Sequence, residues 1–182
     1  MTLTQKELEV NAALQKTGIE KYTEALRELA ALLHVELDPE SPYWGGLKLQ
    51  IELGKVFASL IAARRDCVEP FKKRDLIINW NGSTFHFRLP NGEYHRFDYV
   101  SYGEAIRVTL ARPQFTFPDY WMKTSADAIV GYIAEHLRDI NALRRLVIMS
   151  RDITSEHVSK SEAESLARAA KAMAQLELLR RL

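Results

Sequence analysis

The chain has 182 residues, 47% of them hydrophobic, with 25 basic against 24 acidic residues and a formal charge of +1. This length fits one domain, or one domain with a helical extension, and suffices for a real core. The balance of charge argues against a strongly basic nucleic-acid binder but leaves room for a local patch. A single cysteine, Cys67, forms no internal disulfide, and no apolar run approaches the roughly 18 residues that cross a bilayer. The start, "MTLTQKELEV", lacks the basic-then-apolar order of a secretory leader, so a soluble cytoplasmic protein without a membrane partner is expected.

Thr4 followed by Glu7 matches a capping box and opens a helix whose apolar stripe resumes after Gly18 at Ile19, Tyr22, Leu26, Leu29 and Leu33. Gly18 is a place where this helix could bend or split. "DPESPYWGG" ends it with two prolines and two glycines. Residues 47–63 are ambiguous at first. "LKLQIEL" alternates like a strand, but Leu49, Leu53, Val56, Phe57, Leu60 and Ile61 form a longer helical stripe, and length favours the helix.

The middle of the chain is expected to be a four-stranded antiparallel meander, at about 75–111. Leu76–Trp80 meets "STFHFRL" across Asn81-Gly82, a strong hairpin signal. A two-residue turn there puts Trp80 opposite Ser83, Ile78 opposite Phe85 and Leu76 opposite Phe87. The next turn, "PNG", works only as a three-residue turn, with Pro90 at the first corner and Gly92 left-handed. It then sets Phe85 opposite Phe97 and Phe87 opposite His95, whereas a one-residue slip would scramble the apolar face. A fourth strand, Glu104–Ala111, points Ile106, Val108 and Leu110 inward and Arg107 and Thr109 outward.

Thr124 or Ser125 caps a helix with its stripe at Ile129, Ile133, Leu137, Ile140, Leu143 and Val147. "SRDITSEHVSK" is expected to interrupt it, and Ser161 with Glu164 to cap a further helix. The expected fold is therefore α+β, the meander packed on its apolar face by N-terminal and C-terminal helices. Residues 1–150 would form one domain and 151–182 a C-terminal helix, packed on that domain or mediating dimerisation. Leu176, Leu178, Leu179 and Leu182 ring more than one side of it, more than internal packing needs.

The outward face of the meander carries Thr84, His86, Arg88, Tyr94, Arg96, Asp98 and Arg107. Guanidiniums beside rings are what phosphate contacts and base stacking use. Ordinary solvation also produces charged sheet faces, with Arg96 and Asp98 as simple partners. Lys72, Lys73 and Arg74 lead into the first strand and could flank the patch; residues 41–75 hold seven basic and four acidic groups, against four and eight in residues 1–40. His86, Arg88, Tyr94, Arg96, Arg107, Lys72, Lys73 and Arg74 are thus the candidate residues for binding a nucleic acid or an acidic protein surface.

Support for catalysis is thin. His86 faces outward and His95 inward, where a hydrogen-bonded core histidine is the ordinary outcome. No histidine or cysteine spacing suggests a metal, no glycine-rich loop a nucleotide, and no serine sits in an elbow motif, so no cofactor is expected. Cys67 near Arg64 and Arg65 could be activated, but no base accompanies it. The expected function is binding without catalysis. One competitor is an interaction module or inhibitor, of the mobile-element accessory type, using the acidic first helix and the aromatic loops (Tyr43, Trp44, Phe115, Phe117, Tyr120, Trp121). A remote alternative is a hydrolase built on His86 and Asp98.

Overall fold

A computed structural model of the chain describes residues 2–38, 46–102, 105–110 and 124–180. Helix α1 (Gln5–Leu32) begins at the capping box. The Thr4 hydroxyl accepts from the Glu7 N–H, and the Glu7 carboxylate accepts from the Thr4 N–H at 2.7 Å. These bonds to Thr4, the backbone one first, hold the Glu7 carboxyl below its ordinary range. Gly18 does not split the helix, which runs unbroken through it. It is buried, and a Cβ there would lie 2.6 Å from Ile133 Cδ1, so its lack of a side chain lets another helix lie close.

Residues 47–63 are helical, as their longer stripe implied. In α2 (Leu47–Asp66) Leu49, Leu53, Phe57 and Leu60 have no exposed surface. The short α3 (Glu69–Lys73) starts with Pro70 in its first turn and leads through Asp75, at φ +50°, into the sheet.

Strands β1 (Ile77–Trp80), β2 (Thr84–Arg88), β3 (Tyr94–Tyr102) and β4 (Ala105–Val108) form one antiparallel sheet in sequence order. The "PNG" turn has the expected register: Phe85 opposite Phe97 and Phe87 opposite His95, with Gly92 at φ +86°. The first hairpin differs. Trp80 stands opposite Phe85 and Ile78 opposite Phe87, two residues from the expected pairing. The Asn81 side chain is the cause, because its Oδ1 accepts from the N–H groups of Ser83 and Thr84. That moves the tip to Gly82-Ser83, with Gly82 at φ +93°. A slip of two leaves every side chain on its own face, so Leu76, Ile78, Phe85, Phe87 and Leu89 are still buried together.

The long α4 (Ala126–Arg180) overturns the expected interruption: its 55 residues form one helix. The serine and threonine that suggested a break bond backward, as hydroxyls within helices do. Ser150 Oγ donates to the Val147 carbonyl at 2.7 Å and Thr154 Oγ1 to the Ser150 carbonyl at 2.8 Å. Ile153, fully buried, carries the apolar stripe through the segment. Ser161 and Glu164 consequently lie inside the helix and form no cap.

Helices α2 and α4 cover the apolar face of the sheet. The Phe57 ring stacks on Phe85 at 4.1 Å, and α2 meets β4 at Gly54, where a Cβ would overlap the Ile106 carbonyl. Helix α1 packs on α4 as an outer layer. Asn11 bonds the Thr124 carbonyl, Gly18 abuts Ile133, and Glu28 pairs with Arg144 at 2.6 Å, while Arg151 donates to the Leu32 carbonyl. These contacts advance in the same direction along both helices, so α1 and α4 run parallel. The other end of the body is tied to α4 by Arg74 to Glu156, His157 to Asp66 at 2.9 Å, and the Lys160 amine to Cys67 Sγ at 3.7 Å.

Candidate functional site

Alternation along β2 and β3 sends every second residue away from the helices. His86, Arg88, Tyr94, Arg96 and Asp98 share the outer face with Ile77, Val100 and Arg107. Arg88 and Tyr94 stand directly opposite each other and are exposed, Tyr94 by 57%. Arg88 makes no ion pair among the described residues. Arg96 reaches Asp98 at 3.7 Å, with more than half of each side chain in solvent, a pair of little energetic weight. His86 Nδ1 bonds the Tyr94 hydroxyl across the strand diagonal, and the two rings lie 5.7 Å apart. That bond holds the phenol ring over the sheet. Arg107 is half-buried at the β4 edge beside Val100.

The second basic cluster separates from this face. The Arg74 guanidinium donates to the Pro70 carbonyl and pairs with Glu156 of α4, on the helix-covered side. Hydrogen bonding to Glu156 raises its affinity for its proton and holds the Glu156 carboxyl below the ordinary range. Lys73 lies 3.9 Å from the same carboxylate and Lys72 3.3 Å from Glu69, both amines exposed. Arg65 lies over the Trp80 ring, 5.7 Å from its centre. Cys67 is buried beside Lys160.

His95 does point inward. It is closed off from solvent, stacks on Phe87 at 5.3 Å, and donates from Nδ1 to Asp139 Oδ1 at 2.8 Å. Its other nitrogen faces Glu93 at 3.6 Å, and Glu93 in turn pairs with Arg145. The side-chain amide of Asn91, then Arg145, lowers the Glu93 carboxyl. Sequence reasoning found the inward histidine and missed its carboxylate, which comes from α4, 44 residues away. It also missed a cleft of about 210 Å³ where Tyr22, His136, Asp139, Arg96 and Asp98 converge. Burial, then the Asp139 charge, pushes the Tyr22 phenol up, so it stays protonated.

The residues of the hydrolase alternative are engaged separately. His86 bonds Tyr94, while Asp98 faces Arg96 and Thr84, and no hydrogen bond joins the two. The aromatic loops of the interaction-module alternative, with Tyr43, Trp44, Phe115, Phe117, Tyr120 and Trp121, lie outside the described residues. No helix among the described residues is long and apolar enough to cross a membrane. Compared with protein-family models, curated proteins and solved structures, the chain matches none of them.

Proposed function

We propose that this protein binds an anionic partner without catalysis, and that the partner is a nucleic acid presenting single-stranded bases. The observation that carries this reading is the pairing of Arg88 with Tyr94, both exposed on a sheet face over which no described helix lies. A forked donor beside a ring held by His86 suits a phosphate and its attached base. Arg96 extends the charge along β3, its tie to Asp98 weak enough to yield to a phosphate. Arg107 supplies peripheral charge, whereas Arg74 is withdrawn from the set by Glu156, and Lys72 and Lys73 lie with it beside Glu69 and Glu156. The protein would act in the cytoplasm, its copies joined through their C-terminal helices.

Fluorescence anisotropy with labelled single-stranded oligonucleotides tests this. Binding is expected at low salt, weakening as salt rises, with the Arg88→Ala/Arg96→Ala variant binding at least tenfold more weakly at an unchanged thermal midpoint. A native protein that binds no oligonucleotide at low salt, or a variant that binds as before, overturns the reading. A second reading, contact with an acidic protein surface, draws on the same exposed Arg88 and Arg96 of the sheet face. Capture of a protein from nuclease-treated extract, lost in the same variant, would favour it.

A further inference from the structure

From Val158 to Arg180 every residue of α4 is exposed, and the Lys160 amine reaches Cys67 Sγ of the body at 3.7 Å. Leu166 is 72% exposed, Met173 65% and Leu176 43%, within a cluster of exposed large apolar side chains that also holds Leu178 and Leu179. These positions are not scattered. Leu166, Ala169, Met173 and Leu176 repeat at alternating spacings of three and four, the seam of a coiled coil, and Ala163, Ala170 and Ala172 flank it. Small flanking residues let a second helix approach closely.

The charges at the two ends of the seam identify what covers it. The next seam position before Leu166 is Glu162, and the next after Leu176 is Arg180. In a parallel pair of identical helices, Glu162 would face the partner's Glu162 and Arg180 the partner's Arg180, burying like charges at both ends. In an antiparallel pair centred on Lys171, Glu162 meets the partner's Arg180, Leu166 the partner's Leu176, and Ala169 the partner's Met173. Every seam position then has a partner of matching character. The paired segment, Glu162–Arg180, spans about 28 Å at 1.5 Å per residue.

We infer that residues 162–180 form an antiparallel two-helix dimer with the same segment of a second copy, in the register centred on Lys171. This extends the helix pairing named above and does not depend on what the sheet face binds. The two copies' bodies would sit at opposite ends of the paired segment.

The test uses the full chain, because the substituted residues are all exposed. Sedimentation equilibrium from about 1 to 100 µM is expected to show a monomer–dimer equilibrium, abolished by Leu166→Glu. Glu162→Arg and Arg180→Glu should each weaken the dimer by about three- to tenfold, and the two combined should restore it. When Leu166→Cys and Leu176→Cys chains are mixed under mild oxidation, the mixed disulfide should predominate over either homodisulfide. A chain that stays monomeric throughout overturns both the dimer and its register, including the case where another protein covers the seam. Homodisulfides, or a charge swap that fails to rescue, overturn the antiparallel register and leave dimerisation standing. None of these readouts is moved by loss of oligonucleotide binding.

Discussion

Two glycines show how much one missing Cβ can decide. At Gly54 a Cβ would overlap the backbone carbonyl of Ile106, which is held in a strand and cannot step aside. At Gly18 the obstacles are Cδ1 and Cγ1 of the Ile133 side chain, not backbone, and alanine gains about 1 kcal/mol of helix propensity over glycine. Gly54→Ala should therefore cost about 3 kcal/mol or more in chemical denaturation, whereas Gly18→Ala should lie within about 1 kcal/mol of the native protein. His95 offers a second test. Asp139→Ala leaves a fully buried imidazole N–H without its acceptor, a loss of about 1–3 kcal/mol. Asp139→Asn keeps a carbonyl acceptor and should cost less, which separates hydrogen bonding from the loss of packing.

At the scale of elements, the contacts that bind α4 to the body are partly ionic, so they respond to acid. The carboxyls of Glu93 and Glu156 sit below their ordinary value of 4.5 because the folded chain favours their charged forms, through Asn91 and Arg145 for Glu93 and through Arg74 for Glu156. The unfolded chain takes up protons first as pH falls. The stability these groups contribute is therefore fully present above pH of about 5 and is lost progressively below the unfolded value. Thermal midpoints measured between neutral pH and pH 3 should fall, and the Glu93→Gln/Glu156→Gln variant should show a flatter decline from a lower starting point. The continuity of α4 has its own test. A true N-cap loses about 1 kcal/mol when serine becomes alanine, but Ser161 lies inside the helix. Ser161→Ala should leave helical content by circular dichroism unchanged or slightly higher.

For the whole molecule, the layers separate support from contact. Helices α2 and α4 spend the apolar face of the sheet, α1 braces α4, and no described helix lies over the outer face. Binding there should depend on salt in proportion to the phosphates neutralised, by about −0.7 in log–log slope per contact on a single strand. Removing Arg88 and Arg96 together should flatten the slope by about 1.4, read from oligonucleotide titrations across salt concentrations. A variant that lost affinity with the slope unchanged would indicate disturbed folding instead of lost phosphate contacts.

Local chemistry was legible directly from the residues. The Thr4–Glu7 cap, the three-residue "PNG" turn with its register, and the face on which each sheet side chain lies all follow from interactions among neighbours in the chain. The same local signals misled where a competing bond lay just as near: Asn81 drew the first hairpin two residues along, and Ser150 and Thr154 bonded back into α4 where a break was expected. Only the tertiary structure decided which polar groups were spent. Arg74 lost its place in the cationic patch to Glu156, 82 residues away, and His95 found Asp139 on another helix, because ion pairs form between whatever surfaces packing brings together. The chain's own order carries periodicity and turns, while the partners of charged and buried polar groups depend on how the layers close.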